Sequence, residues 1–354
     1  MERKHVDTSS DSILSIHMLK GRPLILAGVG TALAVGTGSL RVDESPRLPR
    51  AIAGQFVGVV GSSLVVAGGS WWTAPPSEGG KKIWDARIET LETGGTEWHE
   101  VPRLPRALAY GGAVSLKETL VLAGGEDDLA VSRGVWGLEK RDQSYYLSAW
   151  AELPTPLANF SMAATGDRVY VLGGQSSKNS LASAELWSLR VDAHGTPDSR
   201  WRKEASLPRA GLILSAAAGG MDRLYIVGRA TLVPSENGVP ERRYLREAWS
   251  FDPATGWKRL PNPTALAVAA PAVCERKGDF LLIGGDDGHM AGVALRPGER
   301  HPGFGRNVMR YTTESNQWIS VGELPHRAGG HWSCSVARRS HCYSGGRRPS
   351  REPV

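Results

Sequence analysis

The sequence predicts an all-β fold, a closed propeller of six similar sheets, and three regularities indicate it. Six apolar runs each end in a glycine doublet or a near copy of one. A proline-marked turn precedes each run, and a tryptophan follows five of them. Short β-runs that recur with a period near 50 residues are typical of a propeller built from kelch repeats.

The glycine doublets recur at nearly even intervals. Their first positions are 68, 124, 173, 228, 284 and 345, so the steps are 56, 49, 55, 56 and 61 residues. In the fourth copy Arg229 replaces the second glycine. Glycine permits positive φ and close approach of a neighbouring backbone, so we expect each doublet to mark the exit from a strand.

The rest of each unit repeats as well. Proline turns include RLPR at 47–50 and at 103–106, and the stretch ELWSL at 185–189 is typical of the strand that follows each variable loop. We therefore expect one four-stranded antiparallel sheet, or blade, per unit. The tryptophans near the end of five units are Trp98, Trp150, Trp201, Trp257 and Trp318. Large rings fill the space between stacked sheets, so we interpret these residues as blade-to-blade packing rather than as ligand platforms.

The repeats also set the expected domain limits. We predict a propeller over residues 46–346, an N-terminal extension over 1–45 and an irregular basic tail over 347–354. Apolar alternation is lost from Cys334 onward, so the last blade is expected to be incomplete. Residues 24–43 are a candidate for its missing strand, since an open ring would leave unpaired strand edges.

Composition narrows the function classes. The formal net charge is +6, but much of it comes from arginines near the C-terminus, so it is only weak support for an acidic ligand. The sequence has no basic helix and no alternation of basic and aromatic residues, so we expect no nucleic-acid partner. Three cysteines, Cys274, Cys334 and Cys342, lack the spacing of a metal site or a disulfide. We expect no metal.

The N-terminus resembles an export signal. From Met18 onward, Lys20 and Arg22 precede an uncharged stretch over 23–40 that contains four glycines. A basic start, an apolar centre and small residues at the exit are typical of a secretory signal, while the glycines disfavour a stable membrane helix. We therefore expect a secreted or periplasmic protein with no stable membrane span. The alternative is that LILAGVGTALAV forms strands that close the ring.

Three segments outside the repeat core resemble one known family. They are GGSWW…PPSEGGKKIWDARI at 68–88, RALAYGG at 106–112 and GGDDGHMAGVALRPGERHPGFGRNV at 284–308. They look like the sialic acid mutarotases, or N-acetylneuraminate epimerases, in the cyclically permuted branch whose last repeat bears the catalytic glutamate. The resemblance covers roughly residues 46–330. It implies a six-bladed propeller that interconverts the anomers of N-acetylneuraminate without a cofactor.

The family reaction requires a base for the proton of the anomeric hydroxyl and an acid for the ring oxygen. The resemblance places the family glutamate at Gly346, within SGGRRPSREP, and glycine cannot exchange a proton. Arg351 or Glu352 lies near the position of the family arginine. The catalytic residues are thus left unassigned. The alternative function is a non-catalytic propeller that binds a glycan or a protein through its loops.

Seven residues are candidates for binding a small anionic sugar. Arg106 and Tyr110 belong to RALAYGG, whereas four others lie in long loops after a doublet, where propellers place ligand contacts. The full set is Arg106, Tyr110, Arg209, Glu78, Lys82, His301 and Arg306.

Arg50, Arg106 and Arg209 occupy equivalent places in their repeats. They predict either a ring of cations at a channel mouth or a purely structural repeat feature. Acidic residues that follow two doublets lack the spacing of a calcium site, and we interpret them as solvated turn residues. They are Glu126, Asp127, Asp128, Asp286 and Asp287.

Overall fold

The structure is a computed structural model. It describes residues 46–74, 78–220, 222–236, 238–270, 279–290 and 304–324 in full, and the backbone alone for strands at 14–19, 28–29, 40–45 and 272–274. Apart from a 3₁₀ position at Glu78, every regular element assigned in these parts of the chain is a β-strand. The predicted all-β class is confirmed.

The N-terminal strands form a sheet of their own. They are β1 (Leu14–Leu19), β2 (Gly28–Val29) and β3 (Leu40–Ser45). β1 pairs antiparallel with β2 and parallel with β3. β2 and β3 overlap the segment 24–43 that is the candidate for the missing strand.

Five four-stranded antiparallel sheets follow in chain order. The first contains β4 (Phe56–Val60), β5 (Ser63–Ala67), β8 (Ile88–Glu92) and β9 (His99–Val101), with an inserted hairpin of β6 (Ser70–Trp72) and β7 (Lys82–Trp84). The second contains β10 (Gly112–Leu116), β11 (Thr119–Ala123), β12 (Val135–Arg141) and β13 (Ser144–Ala149). The third contains β14 (Ser161–Thr165), β15 (Arg168–Leu172), β16 (Leu186–Arg190) and β17 (Arg202–Lys203).

The remaining two blades have the same strand order. The fourth contains β18 (Ala216–Gly219), β19 (Leu224–Val233), β20 (Glu241–Asp252) and β21 (Gly256–Leu260). The fifth contains β22 (Ala272–Cys274), β23 (Phe280–Ile283), β24 (Asn307–Thr312) and β25 (Gln317–Glu323).

The first strands of the five blades lie next to one another in the order β4, β10, β14, β18, β22. This order arranges the blades around a common axis, with the first strand of each blade innermost, as in a propeller. Five blades are present in the described residues. The doublet assigned to the sixth, at 345–346, lies outside them, so the count of six stays a prediction.

Close approach of the next blade's backbone explains why the doublet positions are glycine. The backbone N–H of Gly125 donates to the carbonyl of Leu157 at 2.9 Å, and that of Gly174 donates to the carbonyl of Leu212 at 2.8 Å. A Cβ added at Gly124 would lie 2.4 Å from the Leu157 oxygen, and φ of Gly124 is +60°. Any side chain would therefore meet both a backbone collision and a strained φ, so the expectation of close approach is confirmed.

The core lies between consecutive blades. Phe56 and Val65 of the first blade pack with Leu120 and Leu138 of the second in one buried cluster. Equivalent clusters join the second blade to the third, the third to the fourth and the fourth to the fifth.

Four of the predicted packing tryptophans tie a blade to the segment that enters it. The indole N–H groups of Trp201, Trp257 and Trp318 donate to the carbonyls of residues 151, 205 and 261 at 2.9, 2.7 and 2.9 Å. Trp98 donates to the Pro46 carbonyl at 3.3 Å. An aromatic ring that packs on one side and donates on the other holds two blades in register, which supports the structural interpretation.

Candidate functional site

The proline turns and the loops after the doublets lie at the same end of every blade. In every described blade an isolated β-bridge shows this, because it joins a residue three or four positions before the inner strand to the residue after the doublet. The bridged pairs are Ala53 with Ser70, Ala109 with Glu126, Ala158 with Gln175, Ile213 with Ala230, and Val268 with Asp286. We call this end of the propeller the mouth face.

A ring of backbone hydrogen bonds runs around the mouth face. The residue after each bridge has a left-handed φ, between 51° and 67°. From the second blade to the fifth, its N–H donates to the carbonyl of its counterpart in the preceding blade. The members in order are Gly54, Tyr110, Asn159, Leu214 and Ala269, with N···O distances of 2.6, 2.8, 3.0 and 2.6 Å. The ring fixes the side chains that flank it, because each blade is bonded to the next at this level.

Tyr110 is the large polar member of this ring. A Cβ added at Gly54 would lie 2.6 Å from the Tyr110 ring, so the phenol occupies the space that glycine leaves free. The Tyr110 hydroxyl lies 3.2 Å from the Ser70 hydroxyl of the preceding blade. The Lys82 ammonium lies 4.3 Å from the centre of the Tyr110 ring, and 5.1 Å from that of Trp84. Lys82 and Tyr110, both predicted binding residues, are therefore brought together.

Glu126 joins the same group. It is the residue directly after the second doublet and is half-buried. Burial raises the pKa of its carboxyl group, an effect opposed by the positive charges of Lys82 and Lys178 and reinforced by Asp127. The interpretation of Glu126 as a solvated turn residue is wrong, since the residue is half-buried and the charge of Lys82, from the inserted hairpin of the first blade, acts on it. The one sequence signal for Glu126 is its position directly after a glycine doublet.

Asp127 is also not a solvated turn acid, because it is buried. It forms an ion pair with Arg106 and accepts hydrogen bonds from the backbone N–H groups of Leu129 and Ala130 at 2.8 and 2.9 Å. The hydrogen bond from Arg106 contributes most to lowering the pKa of Asp127 to about 2. Arg106 also donates to the Ala130 carbonyl at 3.1 Å. This predicted binding residue thus organises its own loop.

The other two arginines of the predicted cation ring are engaged as well. Arg50 donates to Asp85 at 2.8 Å and to Glu89 at 3.0 Å. Arg209 is exposed, and its guanidinium lies 5.7 Å from the Trp249 ring. These contacts favour the structural alternative over a ring of free cations.

The remaining candidates are dispersed. Glu78 is exposed in the loop between β6 and β7. Arg306 donates to the Leu324 carbonyl at 2.6 Å, as Arg133 donates to Leu153 at 2.9 Å in the second blade, so it holds a repeat position. Residues His301, Gly346 and Arg351 lie outside the described residues.

No group of His, Cys, Asp and Glu side chains within the described ranges has the arrangement of a metal site. The same ranges include no helix of the length and hydrophobicity required to cross a bilayer.

Comparison with known proteins gives matches of two kinds. A family model of the Kelch motif matches residues 156–208, which include the third blade. N-acetylneuraminate epimerase from Haemophilus influenzae is 25% identical over an alignment of 358 positions. The alignment covers 86% of this chain and 88% of that protein. The chain thus contains a match to the Kelch motif and is similar to an N-acetylneuraminate epimerase. The family resemblance expected from the sequence is thereby confirmed.

Other kelch-repeat proteins match more locally. Kelch-like protein 25 from Xenopus tropicalis is 28% identical over 178 residues, or 49% of this chain. The chain spans only 26% of the length of that relative. A solved structure described as the structure of YjhT superposes with a TM-score of 0.62 over 89% of this chain and 99% of that one. At 12% identity, this likeness shows the fold alone.

Proposed function

We propose that the protein is a carbohydrate isomerase that interconverts the anomers of N-acetylneuraminate or a closely related sugar acid. The observation that supports this most strongly is similarity to an N-acetylneuraminate epimerase over 86% of the chain and 88% of that protein.

The mouth face offers the groups that such a substrate requires. The Lys82 ammonium is a counter-ion for the sugar carboxylate, and a charge-assisted hydrogen bond of this kind is stronger than a neutral one. The Tyr110 ring, held beside it at 4.3 Å, presents an apolar surface with a hydroxyl at its edge. A pyranose ring has the same combination of apolar face and polar rim.

The reaction itself is simple. Removal of the proton from the anomeric hydroxyl and protonation of the ring oxygen open the hemiketal to a ketone, which then recloses on either face. Acid–base assistance on the order of 10²–10⁴-fold is usual for such proton transfers. The groups required are a carboxylate or similar base and a proton donor.

NMR measurement of anomer exchange tests the proposal. N-acetylneuraminate released freshly as its α anomer should reach equilibrium faster with the protein than in buffer with heat-denatured protein. Glucose, a neutral sugar that also opens and closes, serves as the substrate control and should not be accelerated. An exchange rate for N-acetylneuraminate equal to that in buffer would refute the proposed activity.

A second function, non-catalytic binding of a glycan or protein, is favoured by the rim of the mouth face. Large apolar side chains are exposed on the segments that follow the doublets of the first four blades: Trp72 at 46%, Leu129 at 86%, Leu181 at 51% and Val239 at 56%. Exposed apolar residues grouped at one end of a molecule are typical of a contact surface. Sugar binding without faster anomer exchange would favour this function over the first.

We further propose export of the protein from the cytoplasm, on the basis of the signal-like segment over 18–40. Expression of the full gene in a Gram-negative host, with fractionation and N-terminal sequencing, tests this. Recovery of the uncleaved chain in the cytoplasm would contradict it.

A further inference from the structure

Only two of the five residues that follow the described doublets are carboxylates, Glu126 and Asp286. The carboxylate of Asp286 is already hydrogen-bonded within the protein. Its carboxylate accepts a hydrogen bond from the Tyr244 hydroxyl at 3.1 Å and another from the N–H of Gly288 at 2.8 Å. A carboxylate held by two donors is poorly placed to exchange a proton with a ligand.

Glu126 is different. Within the described residues its carboxylate accepts no hydrogen bond and forms no ion pair within 4.0 Å, although it is half-buried. Its backbone is nevertheless fixed, because Glu126 and Ala109 exchange both N–H···O bonds at 2.7 and 2.9 Å. The carboxylate is therefore held at the mouth face while its oxygens remain available.

The surroundings of Glu126 supply a proton donor. Of the positive charges that act on Glu126, that of Lys82 is the strongest. The Lys82 ammonium lies above the ring of Tyr110. Ala109, which precedes Tyr110 in the sequence, is the β-bridge partner of Glu126. Lys82 is half-buried and forms no salt bridge with any described residue. The next two acids in sequence are unsuited to the task, since Asp127 is paired with Arg106 and Asp128 is exposed.

We propose that Glu126 and Lys82 form the acid–base pair that opens and recloses the hemiketal ring of a sugar acid at the mouth face. This assignment rests on the proposed function and places the proton chemistry on the second doublet, rather than at the position of Gly346.

The proton balance closes without an outside reagent. The Glu126 carboxylate removes the proton of the anomeric hydroxyl, whose oxygen becomes the carbonyl of the open form. As the bond between the anomeric carbon and the ring oxygen breaks, the Lys82 ammonium transfers a proton to that oxygen. After the carbonyl turns its other face, the ring hydroxyl attacks, Lys82 takes back its proton and Glu126 returns the other to the new anomeric hydroxyl.

The electrostatics of the site agree with these roles. Burial raises the pKa of Glu126, which makes its carboxylate a stronger base than an exposed one. The charged and titratable groups that face it are Lys82, Lys178, Asp127 and Tyr110.

The test compares Glu126→Gln with Asp128→Asn in the full chain. Both changes remove one carboxylate from the same loop, but Asp128 is exposed and lies outside the pair. We expect Glu126→Gln to reduce the acceleration of N-acetylneuraminate anomer exchange by about 100-fold or more, and Asp128→Asn to leave it unchanged. If wild-type protein accelerates exchange and Glu126→Gln does so equally well, the acid–base assignment is overturned while the proposed function stands.

A second measurement does not depend on turnover. In protein with ¹³C-labelled glutamate carboxyls, Glu126→Gln identifies the Glu126 resonance. We expect its titration to shift when N-acetylneuraminate is added, and the shift to be lost in Lys82→Gln. A titration that the sugar does not move overturns the assignment. A shift without any acceleration by the wild type refutes the proposed activity and the acid–base pair together, and leaves Glu126 as a contact residue. Equal melting temperatures for the three variants would show that each has folded.

Discussion

Glu92 is the centre of a polar link between the first and second blades, and its removal should weaken the propeller in a pH-dependent way. Its carboxylate accepts hydrogen bonds from Ser63 of its own blade at 2.8 Å and from Tyr145 of the second blade at 3.1 Å. It also forms an ion pair with Lys140, whose side chain is only 14% exposed. Burial raises the pKa of Glu92, but these contacts outweigh it and lower the pKa from 4.5 to about 2. The hydrogen bond from Lys140 is the largest of the lowering effects.

The magnitude follows from linkage. A displacement of that size corresponds to about 3 kcal/mol if taken in full. Since 42% of the Glu92 side chain is exposed, solvent screens the link, and we expect about 1 kcal/mol. The pKa is lowered in the folded state, so this stability is complete above the unfolded value of 4.5 and is lost as pH falls toward about 2.

The assay is urea unfolding of Glu92→Gln and wild type at pH 7 and at pH 3. We expect a loss of about 1 kcal/mol at pH 7 that shrinks by more than half at pH 3. Glu97→Gln is the control, because Glu97 is exposed and has no ion pair in the described part of the chain. Equal losses for Glu92→Gln at both pH values, or none at pH 7, would show that the Glu92 carboxylate does not stabilise the contact between the two blades.

Two further predictions concern the mouth face. Ala269 has a φ of +51°, whereas Ala270 has no positive φ. Ala269→Gly relieves a backbone strain of about 1–2 kcal/mol, so we expect its free energy of unfolding to stay within about 0.5 kcal/mol of wild type. Ala270→Gly relieves no strain and should lose about 1.5 kcal/mol. Urea unfolding of the pair measures this contrast, and equal losses would contradict the left-handed ring. Lys82→Gln should weaken binding of N-acetylneuraminate by about 10-fold or more, and Lys81→Gln, at an exposed lysine, should not, as measured by titration calorimetry. Equal affinities for the two variants would remove Lys82 from the site.

The features of the fold that the sequence predicts are those with a steric cause. The Cβ of any residue in place of Gly124 would lie 2.4 Å from a carbonyl of the next blade, so glycine recurs and the period is visible. The site is less visible, because its members come from different blades and from an inserted hairpin without periodicity. Arg106 looks like a ligand residue in its motif, but it pairs with Asp127 in its own loop. Glu126 looks like a turn acid until Lys82 is placed beside it.

The most direct test of the Glu126–Lys82 site is the structure of the protein bound to N-acetylneuraminate. We expect the sugar at the mouth face, with its carboxylate and ring oxygen at the Lys82 ammonium, its ring against Tyr110 and its anomeric hydroxyl within hydrogen-bond distance of Glu126. A sugar bound at the opposite end of the blades or on the outer strands, with Glu126 and Lys82 untouched, would contradict it.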